Sequence, residues 1–230
     1  YFGTERLDIV IALSAIPGIA AVLLIVVAVK EPRRHIAPAA PASLPRWSAL
    51  PPALQRYLLT LGLFMLGRIP ETFLLLRGHE LGMSVVELLL FWAALHVVKA
   101  GLSEFAGRYA DRIGRRPIIV GGWLVYAVVL FVLDFVDSAA GLWGLGLALG
   151  IYFGLAEGAE RALVRDLAAA HARGTAFGWY HMVAGISAIP AGLALGGLWS
   201  YAGVTVAFVA SSAVTGLAAF VLLRALRTPT

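Results

Sequence analysis

Gly107-Arg-Tyr-Ala-Asp111-Arg-Ile-Gly114-Arg115-Arg116-Pro117 is a short, strongly basic stretch between two long apolar runs. Gly114 can adopt the left-handed backbone conformation that a tight turn needs. Pro117 suits the first turn of the next helix, where its missing N–H does no harm. We expect Asp111 to accept hydrogen bonds from Arg115 or from helix N-terminal amides. A polar turn between two helices of membrane-spanning length has to lie in water on one face of a bilayer.

The composition of the chain favours a membrane protein. Of its 230 residues 60% are hydrophobic and 13% are charged, and the mean hydropathy is +0.88. Soluble domains carry roughly a quarter of their residues as charges, so the bilayer is the natural solvent for this chain. The net charge of +5 lies in the connections between apolar runs, which indicates membrane topology rather than nucleic-acid binding. Without cysteine there is neither a disulfide nor a thiolate metal site.

Apolar runs long enough to cross a bilayer predict seven membrane spans. The predicted spans are Asp8–Val29, 57–78, 83–105, 117–136, 139–161, 174–199 and 203–223. The connections alternate between basic and uncharged, and 14 of the 18 Lys and Arg residues fall on one side. By the positive-inside rule that side is cytoplasmic, which places the N-terminus outside.

The pattern Gly-x-x-Ala-Asp-Arg-x-Gly-Arg-Arg, which begins at Gly107, resembles the signature cytoplasmic loop of Major Facilitator Superfamily transporters. A lone span, a basic proline-rich linker and six spans are similar to the sixth helix, central loop and C-terminal half of such a transporter. The departure from the family pattern is Tyr109, where the family usually has leucine.

The resemblance implies an all-α membrane protein with the superfamily's helical bundle, here part of a twelve-helix fold. Residues 1–30 would be the last helix of the N-terminal half, residues 31–56 the cytoplasmic central linker, and residues 57–230 the six-helix C-terminal domain. We therefore expect the chain to be a fragment whose partner, the rest of the N-terminal half, is absent from it.

In the family this loop latches the two halves on the cytoplasmic side and opens as the carrier changes state. The resemblance assigns that gating role to Gly107, Asp111, Arg112, Gly114, Arg115 and Arg116. Gly107 would let two helix ends approach closely, and the arginines would face headgroups or a neighbouring carboxylate. The alternative is that the arginines only hold the topology.

Ionisable residues inside the predicted spans are costly and normally face a cavity or a partner. Arg68 and Glu71 are three residues apart, so we expect them to pair on one helix face, with Pro70 between them disturbing the backbone. They are candidates for a binding or hinge site, or for a neutral ion pair that holds helices together. His96 and Lys99 should also share a face, although a packed imidazole bonded to a backbone carbonyl is the commoner fate of a single histidine.

The later spans contain a second group of ionisable residues. Glu157 is the better functional candidate there, while Glu160 and Arg161 are expected to be solvated near the cytoplasmic end. His181 lies at a comparable height on the next span. The spans at 117–136 and 203–223 carry no charge in their apolar cores. The resemblance implies the same division, because the ninth and twelfth helices of the family stand outside the cavity.

Glycines at 146, 150, 154 and 158 recur every four residues in the span at 139–161. Such a row lets another helix backbone come close, either as static packing or as a surface on which the helices rock.

The function that these observations favour is proton-coupled secondary active transport of a small solute by alternating access, in other words a permease. The expected substrate-binding or proton-coupling residues are Arg68, Glu71, His96, Lys99, Glu157 and His181. Glu71 or Glu157 would be the coupling carboxylate. Because the chain has no asparagine and a single glutamine, an anionic, zwitterionic or amphipathic solute fits better than a sugar.

The sequence also bears on two other classes of function. A membrane assembly or scaffold protein of the same fold is the alternative, although it has little need of a gating loop. An enzyme is not predicted, because no nucleophile–base set and no metal-ligand pattern lies at depth, and no cofactor is expected. The expected partners are the solute, H⁺, the lipid bilayer and the missing half, with no nucleic acid. The expected location is a bacterial inner membrane.

Overall fold

A computed structural model describes residues 7–28 and 46–225 of the chain. The described helices are α1 (Leu7–Ala28), α2 (Pro52–Gly67), α3 (Glu71–Glu80), α4 (Val85–Ile113), α5 (Arg115–Leu133), α6 (Ala139–Leu167), α7 (Arg173–Ala202) and α8 (Val204–Ala225). Short 3₁₀ turns lie at Trp47–Ala49 and Ala170–Ala172. Over these two ranges no strand is present, so the predicted all-α fold is confirmed.

The chain divides into two compact units, Tyr1–Leu44 and Pro45–Thr230. The first unit contains α1, and the second contains α2 to α8. The predicted division into residues 1–30, 31–56 and 57–230 stays a prediction, but α2 begins at Pro52 and so reaches into the predicted linker.

The described residues contain six candidate membrane spans rather than seven. They are Pro52–Glu80, Val85–Ser103, Arg115–Leu133, Ala139–Leu167, Ala170–Ala202 and Val204–Ala225. α1 is apolar and 22 residues long, and its segment Gly18–Ala28 counts as a shorter apolar helix outside the six. At about 1.5 Å per residue the whole of α1 reaches about the thickness of the hydrocarbon core, so the span predicted at Asp8–Val29 stays a prediction.

The span predicted at 57–78 is interrupted. α2 ends at Gly67 and α3 begins at Glu71, because Pro70 precedes α3 and cannot continue the hydrogen-bonding pattern of a helix. The backbone N–H of Ile69, freed by the break, donates to the Tyr126 hydroxyl on α5 at 3.0 Å. A side chain of another helix thus satisfies the interrupted backbone, as a buried break requires.

The predicted cytoplasmic loop is largely helical. α4 continues to Ile113, and α5 starts at Arg115, so Gly114 alone separates them. Gly114 has φ +92°, which confirms the expected positive-φ turn. The basic turn predicted between the spans at 83–105 and 117–136 is therefore shorter than expected, because helices continue past the end of their apolar segment when their polar ends pair locally. Here Arg115 pairs with Asp111, four residues earlier.

Three helix ends with basic residues lie on the same face of the second unit. The Arg115 guanidinium contacts Asp166 near the end of α6 at 3.2 Å, and Arg116 donates to the Leu223 carbonyl near the end of α8. This agrees with the predicted clustering of basic connections on one side. The assignment of that side to the cytoplasm stays a prediction.

Two features fix how the helices pack. Phe64 on α2 stacks on the fully buried Trp123 of α5 with ring centroids 4.2 Å apart. On α6, a Cβ added at Gly150 or Gly154 would come within 3.0 Å of a backbone carbonyl of α4, so these helices are in close contact. Gly158 has nothing within 4 Å, so the glycine contact with α4 does not extend to the end of the row.

Candidate functional site

A cavity of about 480 Å³ lies between the α2–α3 break, α6 and α7. It is lined by Met65, Arg68, Ile69, Pro70, Glu71, Thr72, Glu157, Arg161, Tyr180, His181, Ala184, Ala188 and Ala191. Four of the six predicted site residues are therefore in its lining. The other two, His96 and Lys99, lie on α4 and contact carboxylates of the lining.

Glu157 is held by two cations from two other parts of the bundle. Arg68, directly after α2, lies 2.8 Å from Glu157 Oε1, and Lys99 of α4 lies 3.1 Å from Oε2. The Arg68 guanidinium and the Lys99 ammonium each lie 5.0 Å from the centroid of the Phe153 ring, within cation–π range. We call Arg68, Glu157 and Lys99 the ion triad.

The predicted pairing of Arg68 with Glu71 is wrong. Arg68 caps the end of α2 and Glu71 opens α3, so the helical three-residue spacing that would bring them together is lost at Pro70. Glu71 instead accepts a hydrogen bond from Trp92 Nε1 at 3.2 Å and lies 3.5 Å from His96 Nε2.

His96 follows the alternative given for it, a bond to a backbone carbonyl, rather than an interaction with Lys99. The second ring nitrogen of His96, Nδ1, lies 2.9 Å from the Trp92 carbonyl oxygen on the preceding turn of α4. The imidazole is thus oriented by its own helix and faces Glu71, whereas Lys99 is directed to the ion triad.

Glu160 is the residue that sequence reasoning missed. It was expected to be solvated, but its side chain is fully buried. Trp123 Nε1 donates to Oε1 at 2.8 Å and the Tyr180 hydroxyl donates to Oε2 at 3.4 Å. No local pattern indicates this burial, because it depends on α5 and α7 packing on α6. Arg161, the next residue, is exposed as predicted and lines the cavity.

The predicted gating residues are only partly brought together. Asp111 accepts from Arg115 at 2.5 Å, which confirms the expected pair, and Arg115 also contacts Asp166. Asp166, which sequence reasoning did not identify, further pairs with Arg165 at 2.9 Å. The close approach expected at Gly107 is not found, because a Cβ there would meet nothing within 4 Å.

The remaining members of the gating set lie beside this pair. Arg112 is exposed and lines a separate cavity of about 350 Å³. Gly114 forms the turn, and Arg116 bonds to the carbonyl of Leu223. Together Asp111, Arg115 and Asp166 form a charge network that ties the α4–α5 turn to the end of α6; we call it the helix-end network.

For metal binding, no group of three or more His, Asp or Glu side chains suited to an ion occurs within 7–28 and 46–225.

The six apolar spans define a helical integral membrane protein, and the ion triad lies at its cavity. The family model of the Major Facilitator Superfamily matches residues 57–230. The chain belongs to the Major Facilitator Superfamily, which confirms the resemblance inferred from the loop.

A relative with a related sequence is an uncharacterized MFS-type transporter of Methanocaldococcus jannaschii. It is 29% identical over 156 residues, which cover 65% of this chain and 39% of the relative. The chain thus spans less than half the length of the curated relative that it matches.

Proposed function

We propose that this chain is the C-terminal part of a secondary active transporter that moves a small solute by alternating access. The observation that carries the proposal is the ion triad at the cavity. Its three members come from α4, α6 and the α2–α3 break, so any relative movement of these helices makes or breaks an ion pair. Burying charged side chains costs desolvation free energy. In membrane proteins such residues commonly mark substrate or ion pathways.

The solute best suited to this cavity carries a carboxylate or phosphate, alone or as part of a zwitterion. Arg68 and Lys99 share one carboxylate, Glu157, so the triad has one unit of positive charge in excess. An anionic solute group can replace Glu157 as the partner of the guanidinium, which binds carboxylate and phosphate well.

Side-chain amides, which would grip a neutral polyol, are scarce. The chain has no asparagine, and its single glutamine, Gln55, donates to the backbone carbonyls of Trp47 and Leu50 instead of facing the cavity.

Proton coupling belongs to the proposal. Glu157 releases its two cations when it takes up a proton or when an anionic solute group replaces it, and Glu71, which lies 3.5 Å from His96 Nε2, is the second carboxylate at the cavity. His181, exposed at the cavity wall, and Arg161 shape the charge of the opening.

Gating is assigned to the helix-end network and its neighbours Gly107, Arg112, Gly114 and Arg116, acting against the N-terminal half of the same transporter. The membrane proposed is the cytoplasmic membrane of a prokaryote. The bacterial inner membrane stays the prediction, although the relative named above is from an archaeon.

The test uses the full-length protein that contains this chain. A thermal-shift screen compares carboxylates, phosphates, zwitterions and neutral sugars at acidic and at neutral pH, and solutes that stabilise the protein are then assayed for uptake into proteoliposomes with an imposed pH gradient. Stabilisation by anionic solutes that is lost in Arg68→Gln and kept in Glu80→Gln supports the site. Glu80 is a suitable control because it is exposed and pairs with Arg77 at the far end of α3.

Folded protein that takes up none of its stabilising solutes contradicts transport. That result favours the alternative, a membrane scaffold protein of the same fold.

A further inference from the structure

The buried Glu160 has no structural need to be a carboxyl group. Its environment offers two neutral donors, Trp123 Nε1 at 2.8 Å and the Tyr180 hydroxyl at 3.4 Å. Among the described residues no arginine, lysine or histidine forms an ion pair with it. A glutamine would accept from Trp123 Nε1 and donate to the Tyr180 oxygen without the cost of burying an ionisable group. The carboxyl is therefore suited to a task that needs a removable proton.

Two buried hydroxyl groups close to Glu160 fit its ionised form. Tyr57 on α2 and Tyr152 on α6 interact electrostatically with Glu160. Within the described part of the chain their hydroxyl groups have no hydrogen-bond partner. An unpaired buried hydroxyl is unfavourable, and a tyrosine hydroxyl can donate to a carboxylate. Tyr57 and Tyr152 are therefore additional donors for the charged form of a buried carboxyl.

Tyr180 connects this pocket to the solute cavity. Its hydroxyl contacts Glu160, and the same side chain belongs to the cavity lining. A tyrosine hydroxyl both donates and accepts, so it can pass a proton in either direction.

The charged and titratable groups around Glu160 come from all the elements near it. Arg68 after α2 and Glu157 on α6 act on it electrostatically, and Arg161 acts on Tyr180. On α3 and α4 the charged residues of the site are Glu71, in the cavity lining, and Lys99, which pairs with Glu157.

We propose that Glu160 is a further proton-binding group of this half of the transporter, loaded from the cavity through the Tyr180 hydroxyl. In the loading step a hydronium ion in the cavity gives a proton to the Tyr180 oxygen, whose own O–H proton passes to Glu160 Oε2. Water and a neutral Glu160 are the products, and unloading is the reverse. The inference rests on the proposed function, since it adds a proton site to the carboxylates named there, but its test needs no solute.

The experiment is infrared difference spectroscopy of the reconstituted full-length protein while the pH of the buffer is cycled. A buried carboxyl that gains and loses a proton produces a carbonyl band of the neutral acid that comes and goes with pH. We expect this band to be lost in Glu160→Gln and kept in Glu80→Gln. A wild-type protein without a pH-dependent band, or a Glu160→Gln protein that keeps the whole band, overturns the proposal.

A second variant decides the case if Glu160→Gln does not fold. Tyr180→Phe removes only the relay hydroxyl, so the band should persist while its appearance after a rapid pH change slows about a hundredfold. Tyr201→Phe is the matched control, because Tyr201 is 95% exposed on the same helix. Wild-type exchange kinetics in Tyr180→Phe overturn the route. Uptake that fails while the band titrates contradicts the proposed function and leaves Glu160 as a proton site.

Discussion

Arg68 and Glu157 lie 89 residues apart in the chain and 2.8 Å apart in the structure. The contact joins the break between α2 and α3 to the middle of α6, so it ties the interrupted helix to the helix that packs closest to α4. Both side chains are mostly buried, with exposed fractions of 23% and 13%. Their electrostatic coupling is therefore less screened than that of a surface pair.

Removing Glu157 alone should destabilise the protein more than removing Glu157 together with Arg68. Glu157→Gln leaves Arg68 and Lys99 without their carboxylate, and we expect a loss of about 1–3 kcal/mol of stability. The double variant Arg68→Gln/Glu157→Gln should recover part of that loss, because fewer charges remain unpaired. Thermal unfolding in detergent of the two single variants and the double variant measures the coupling. Strictly additive effects would show that the pair is not coupled.

Close packing between α4 and α6 should not tolerate a single methyl group at Gly154. A Cβ there would lie 2.8 Å from Leu102 Cβ and 3.0 Å from the Lys99 carbonyl oxygen. We expect Gly154→Ala to cost about 1–3 kcal/mol through overpacking, and to impair solute binding because the backbone that carries Lys99 has to shift. Gly158→Ala on the same helix is the control, since nothing lies within 4 Å of its Cβ. Equal melting temperatures for the two variants would refute the close contact.

The helix-end network should control the rate of transport rather than stability. Asp111→Asn and Asp166→Asn each weaken the contacts of Arg115, and exposed pairs of this kind contribute at most about 1 kcal/mol. We expect membrane insertion and melting temperature to stay near wild type while initial uptake in vesicles slows several-fold.

Asp137→Asn is the control for this network, because Asp137 is exposed in the connection between α5 and α6, at the other end of these helices. Unchanged uptake in both network variants would remove the gating assignment.

The Tyr126 hydroxyl should be needed to maintain the break between α2 and α3. It accepts from the Ile69 N–H at 3.0 Å, and both groups are buried. Tyr126→Phe leaves that N–H unpaired, so we expect a loss of about 1–3 kcal/mol and a weaker thermal shift by cavity ligands. The comparison with Tyr201→Phe in the same unfolding assay isolates the hydrogen bond from the change of residue. Equal stability of these two variants would mean that the break does not depend on Tyr126.

Much of the fold could be predicted without coordinates. Long apolar runs and the one-sided distribution of arginines are properties of consecutive residues, and a bilayer responds to them directly. The superfamily, the all-α fold and the positions of six spans were therefore accessible. The ends of the helices were harder to predict. α4 and α6 continue beyond their apolar segments to Ile113 and Leu167, because paired polar residues stabilise the helix where it leaves the hydrocarbon core.

Hydropathy was sufficient to identify the bilayer as the solvent of this chain. It also identified the ionised residues that lie within the bilayer, because both conclusions depend only on the order of residues along the chain. The partners of those residues depend on helix packing across the bundle. The break at Pro70 separates Arg68, which contacts α6, from Glu71, which contacts α4. The packing of α5 and α7 on α6 buries Glu160, while Arg161 stays exposed. Contacts between residues distant in the chain carry no signature in local spacing, which is why the ion triad and the buried carboxyl emerged only in three dimensions.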